Sequence, residues 1–143
     1  MSTERNRAVV ERFDALAGST DLRELSDLCT QDMVNHALAP SMPLGLAGTR
    51  AFLSGSMSKF GNDGWEWLHV VADGDLVVQH GVRGGTWRGG SLFGFELRPG
   101  PYSREVAFVY RLHDGRIAER WAVRDDLTML RQRGALPAAG GGS

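Results

Sequence analysis

Lysine, cysteine and long apolar runs are what this 143-residue sequence has least of. Lys59 is the only lysine, and the arginines that supply the remaining positive charge are interspersed with acidic residues. With 16 basic and 17 acidic residues and a net charge of −1, no basic stripe exists for nucleic acid or an anionic membrane surface. Cys29 stands alone, which excludes an intrachain disulfide and a cysteine metal cluster. No apolar run approaches the roughly 20 residues of a membrane span, and the opening MSTERNRAVV lacks the basic-then-apolar order of a secretory signal. No two histidines have metal-ligand spacing and no carboxylate completes a facial triad, so no metal is expected. The expectation is a soluble cytoplasmic protein that meets a small molecule or a second copy of itself, with no nucleic-acid or membrane partner.

What is present suits one domain. With 42% hydrophobic residues, positions 1–136 are long enough for a single core with room for a pocket, and the Gly-rich PAAGGGS at 137–143 reads as a flexible tail. Helical spacing comes first. Thr3 is a candidate cap for a helix with Val9, Val10, Phe13, Leu16 and Ala17 on its apolar face, ended by Gly18. Asp21 with Glu24 resembles a capping box before Leu22, Leu25, Leu28 and Cys29, so Cys29 is read as packed and not as a nucleophile. DMVNHALAP reads as a short strand near Met33 to Ala37, broken by Pro40. Phe52, Leu53, Met57 and Phe60 suggest a third helix after Thr49.

From Trp65 the pattern is β. WEWLHVV and LVVQHGV flank ADGD, and VAFVYRL and RIAERWAV flank HDG, two Asp-Gly hairpin signals. The six glycines of GVRGGTWRGGSLFG lie among strand-like residues and not at the start of a helix, so they permit bulges and bending and make no phosphate cradle. A last helix is expected from about Asp126 to Arg133. The sum is an α+β fold: three N-terminal helices over the concave face of a curved, mostly antiparallel sheet, enclosing a pocket.

This order of elements resembles the SnoaL-like polyketide cyclases of the nuclear-transport-factor-2-like, cone-shaped superfamily. The likeness runs from RAVVERFDAL through DMVNHALAP to VYRLHDGRIAERWAVRDDLTMLRQRGAL, whose I-x-E-x-W, aspartate and closing helix are its most specific part. The resemblance implies a cofactor-free enzyme with an apolar cavity, often dimeric, whose best-known members close a ring by aldol chemistry. In those members the acid/base aspartate directly follows the position of Trp121, and a histidine assists from the preceding strand. Here the two positions hold Ala122 and Phe108, which cannot move a proton or hydrogen-bond an enolate.

Three residues are candidates for a relocated catalytic group. His36 stands where the family commonly has a histidine, and imidazole titrates near neutral pH. Asp125 either caps the last helix, the more common role for aspartate at a helix start, or works at the pocket mouth; Asp126 falls in the same first turn. Glu96 lies in a loop that closes the cavity, where burial raises a carboxyl pKa, unless it is solvated. Strand alternation puts Arg120 and Arg124 on the face of Ala122, and Val106, Tyr110 and Leu112 on that of Phe108. The arginines can stabilise an oxyanion or snorkel to solvent or to Asp125 or Asp126. With Trp87, these residues (Phe108, Tyr110, Arg120, Ala122, Arg124) form the expected substrate-binding set. Parity does not settle which face His80 or Arg83 takes; His69 is read as packing and His113 as part of an exposed turn.

Three functional classes follow. One is a cyclase or isomerase of secondary metabolism using a relocated acid/base on a hydrophobic, polyketide-like substrate. Another is a cyclase that folds a reactive substrate by cavity shape. The last is a non-catalytic binding or dimerisation module. A hydroxylase or epoxide hydrolase is a weaker fourth.

Overall fold

The first helix forms where helical spacing places it. In the computed structural model, which describes residues 2–17, 19, 21–39, 41–56, 60 and 62–137, α1 spans Thr3–Ala15 and buries Val10 and Phe13. Its cap is Ser2, not Thr3: the Ser2 hydroxyl accepts from the Arg5 backbone N–H at 3.1 Å. The capping box does not form, because the Asp21 carboxylate takes the backbone N–H and guanidinium of Arg23. What remains of the second helix, α2, is the single turn Leu25–Leu28, and Cys29 opens the strand β1 (Cys29–Asn35). The strand thus begins before Met33. Its thiol is fully buried, and burial pushes it up to about 12, as a packed residue requires.

The third helix, α3 (Leu46–Ala51), starts before Thr49 and runs on as a π-helical turn, Phe52–Ser56. Thr49 is buried inside it, donating to the Gly45 carbonyl and accepting from the Asn35 amide, which ties α3 to β1. Met57 and the tail 138–143 lie outside the described residues.

The strands β2 (Asn62–Asp73), β3 (Leu76–Trp87), β6 (Gly100–His113) and β7 (Arg116–Arg124) are antiparallel, joined by the two Asp-Gly turns and, between β3 and β6, by the small hairpin β4 (Gly90–Leu92) and β5 (Phe95–Leu97). Asp114 and Gly115 both take positive φ, 49° and 77°, the backbone that matches a tight hairpin to strand twist. The order β1-β7-β6-β3-β2 places β1 at an edge, parallel to β7. Gly81 has a steric reason: a Cβ there would lie 2.3 Å from the Glu66 carbonyl, where β2 bulges toward β3.

The curved sheet buries one face in two clusters. The larger joins α1 and α2 to Val77, Val106, Phe108, Tyr110 and Ile117. The smaller packs Trp87, Phe60, Leu97 and Tyr102 against Met129 and Leu130 of the last helix, α4 (Asp126–Gln132). Trp87, 1% exposed, is therefore core and lines neither chamber of the site below; its place in the expected binding set is corrected. His69 does not pack either, but stacks on His80 on the exposed sheet face, where His80 also bonds Glu105. Among the described residues no helix is long and apolar enough to cross a membrane.

Candidate active site

The buried sheet face carries charge as well as aromatic rings. Phe108 and Ala122 are directly paired across β6 and β7, with Tyr110 opposite Arg120 and Val106 opposite Arg124, so all six side chains share the inner face. Phe108 and Arg120 line an inner chamber, Ala122 an outer one, and Arg124 both. The inner chamber, about 20 Å³, has room for roughly one water. The outer, about 330 Å³, falls within the range of small-molecule sites and is walled by Ala37, Leu38, Met42, Phe60, Leu92 and Phe93. Phe52, Arg104 and Arg124 belong to both, so the chambers meet at a neck flanked by two guanidiniums.

At the inner end is a carboxyl that no motif announced. Asp14, at the end of α1, accepts from Gln79 Nε2 at 2.6 Å and from the Tyr110 hydroxyl at 3.3 Å. Tyr110 in turn accepts from Arg120 Nε at 3.1 Å. Burial pushes the Asp14 carboxyl up to about 6, against the Gln79 hydrogen bond and the Arg120 charge, which pull it down. Tyr110, wholly buried, is pushed far above the ordinary phenol range, so it stays a neutral relay between Arg120 and Asp14.

Four arginines, Arg83, Arg104, Arg120 and Arg124, line the same inner chamber, braced by aromatic rings. Arg120 lies 4.5 Å from the Phe108 ring centre and Arg124 5.9 Å; Arg104 lies 4.7 Å from Phe60, and Arg83 stands 5.0 Å from both Phe60 and Trp65. Arg104 donates to Asp126 at 2.6 Å, and Arg124 to the Ala37 carbonyl at 3.2 Å. Burial, then mutual repulsion, lowers Arg124 to about 10. The expectation that Arg120 or Arg124 snorkels or pairs with Asp125 or Asp126 is not met; Arg104 holds Asp126 instead.

Of the three catalytic candidates read from sequence, His36 lines the outer chamber, whereas Asp125 and Glu96 line neither chamber. Asp125 caps α4, accepting from the Thr128 N–H at 3.1 Å and its hydroxyl at 2.6 Å, bonds that hold the carboxyl below its usual range. His36 reaches the outer chamber's rim, but its ring stacks on Trp121 and bonds Glu119 at 2.7 Å. Glu119 and Trp121 alternate with the inward Arg120, so the imidazole is committed to the opposite sheet face. Glu96 is exposed in β5, opposite Ser91, and lines neither chamber. Among the described residues no group of three or more His, Cys, Asp or Glu is placed to hold a metal ion.

Sequence reasoning missed Asp14, Gln79 and Arg104 and left the face of Arg83 open, though signals existed. Asp14 falls at helical spacing from Val10 and Ala17, a charge inside an apolar stripe. The alternation that gives Val106 reaches Arg104 one step further.

The family model described as SnoaL-like polyketide cyclase matches residues 7–133. The chain belongs to this family. TsrD from Streptomyces laurentii superposes with a TM-score of 0.81 at 23% identity, over 95% of this chain and 99% of that one. IdmH from Streptomyces antibioticus, a candidate polyketide cyclase, gives 0.72 at 25% identity over 90% and 98%, and AclR from Streptomyces galilaeus, a candidate hydroxylase, 0.75 at 20% over 96% and 86%. No curated protein sequence matches significantly. For a SnoaL-like chain, the positions where the resemblance implied an acid/base pair are indeed in the cavity, yet carry Phe108 and Ala122. The carboxyls that line this SnoaL-like cavity are Asp14 of α1 in the inner chamber and Asp126 of α4 in the outer one. Family membership supports a cyclase or isomerase type of role.

Proposed function

We propose that the chain is a cyclase or isomerase of enolisable, polyketide-like small molecules in which Asp14 moves the proton and an arginine holds the oxygen. The substrate body occupies the outer chamber, with its reacting carbonyl at the neck. Asp14, ionised near neutral pH, takes a proton from the carbon beside that carbonyl, directly or through the one water the inner chamber admits. The electron pair left behind moves onto the carbonyl oxygen, where the guanidinium of Arg104, which lines both chambers, stabilises it. For ring closure, the enolate carbon bonds to a second carbonyl carbon and the resulting alkoxide takes the proton back from Asp14; for isomerisation, the proton returns to a different carbon. Acid, base and oxyanion donors are all protein groups, so these steps call for no cofactor.

The observation that carries this reading is the Asp14 carboxyl, poised near neutrality and facing buried guanidiniums. Its test is α-deuterium exchange into 1-tetralone in D2O, followed by NMR, a probe that needs proton abstraction and no ring closure. Asp14→Asn should lower the protein-catalysed rate by about 10²- to 10⁴-fold, whereas His36→Ala should change it by less than about threefold. An Asp14→Asn variant that exchanges at the wild-type rate would remove the assignment.

A further inference from the structure

The enolate of the proposed mechanism exists only during reaction, but the site carries excess positive charge before any substrate arrives. Arg104 is neutralised by Asp126. Arg120 and Arg124 have no carboxylate partner within ion-pair distance among the described residues. Arg120 donates only to the Tyr110 hydroxyl and Arg124 only to a backbone carbonyl. Arg120 is 5% exposed, lines the inner chamber, and has its Nη1 buried with no hydrogen-bond partner. Phe108 braces both cations without cancelling their charge. Even with Asp14 ionised, one positive charge of this pair is left over.

A buried, unpartnered guanidinium is costly unless an anion completes it. We propose that the substrate is itself an acid, a hydrophobic molecule bearing a carboxylate that docks on Arg124, which lines both chambers, and reaches Arg120 in the inner one. The planar fork of a guanidinium matches a carboxylate. The inner chamber, with room for about one water-sized group, admits one carboxylate oxygen, while the rest of the group stays on the outer side beside Arg124. The apolar outer chamber then takes the rest of the molecule. The docked carboxylate also anchors the substrate at one end, which fixes the carbon that faces Asp14.

This inference rests on the reading of the two chambers as the substrate site, and equilibrium binding tests it apart from turnover. Titration calorimetry at pH 7 with 2-naphthoate and its neutral isostere 2-naphthamide should show the carboxylate binding at least about tenfold more tightly. Arg124→Met and Arg120→Met should each lower naphthoate affinity about tenfold or more while leaving naphthamide within about threefold. Thermal melting separates lost binding from lost folding: Arg124→Met relieves crowding among cations and should melt no lower than wild type. Arg120→Lys, which keeps the charge but loses the fork, should retain part of the preference. Equal affinities for acid and amide, or no naphthoate binding up to millimolar concentration, would overturn the inference. Asp14→Asn should keep the carboxylate preference even as it loses exchange of 1-tetralone, so the anion site and the proton-transfer reading fail independently.

Discussion

Asp14 costs the fold stability when it ionises. Its folded pKa of about 6 lies above the unfolded value of 3.8, so between these limits the native state binds more protons than the unfolded one. Its contribution is therefore greatest below about pH 4 and is lost as pH rises through 6. Two units are worth about 3 kcal/mol at most, and the carboxyl's partial exposure reduces this toward about 1 kcal/mol. Denaturant unfolding from pH 4 to 7 should show wild type losing that amount relative to Asp14→Asn; parallel curves would refute the raised pKa. The same residue shows what a single sequence hides. A charge in an apolar stripe is visible, but whether it is buried depends on Gln79 and Tyr110, 65 and 96 positions away. The inward place of Ala122 followed from the family resemblance, and strand alternation, which needs only near neighbours, then carried Arg120 and Arg124 to the same face. The place of His36 was not legible, since its ring direction is set by Glu119 and Trp121 on another strand.

At the level of elements, turn chemistry was legible and short helices were not. Both hairpins form in their expected places, the first turning on Gly74–Asp75 with Gly74 at positive φ and the second on Asp114–Gly115 with both residues at positive φ. The second helix shrinks to one turn because its supposed cap finds an arginine two residues on, a competition that spacing alone does not decide. The β4–β5 hairpin, read as a loop, holds an outer-chamber wall residue in a strained backbone: Phe93 has φ 52° and is 59% exposed. Phe93→Gly should raise the unfolding free energy by about 1 kcal/mol, since glycine takes that backbone freely, and weaken binding of naphthoate and naphthamide alike by several-fold. Urea midpoints and the same titrations check both halves. A loss of stability would mean that the phenyl ring packs more than the backbone strains.

The two clusters divide the molecule's work. Trp87, Tyr102 and Met129 close one end of the sheet as plain core, while around Phe108 the inner face gives its volume to charge and space. Composition and periodicity pointed to a curved sheet with a pocket, but they could not say which aromatics would be wall and which filling; that depends on where α4 lands. Gly81, pressed against the Glu66 carbonyl, lets β2 close over that face. Gly81→Ala should destabilise the whole domain by about 1–3 kcal/mol, read as a lower thermal midpoint with all probes shifting together.

The edge strand β1 has a consequence for the order in which the chain assembles. Its strand partners are Ile117 to Arg120, in parallel, so most of the polypeptide must be made before that pairing exists. The hairpins of β2, β3, β6 and β7 are sequence-local by comparison and can form early. On the ribosome, the apolar side of α1 thus waits for strands that emerge much later. Pulse-labelled hydrogen exchange during refolding should protect β2 and β3 amides before those of β1, and the proton-transfer site, strung from residue 14 to residue 120, should be among the last features to acquire its native form.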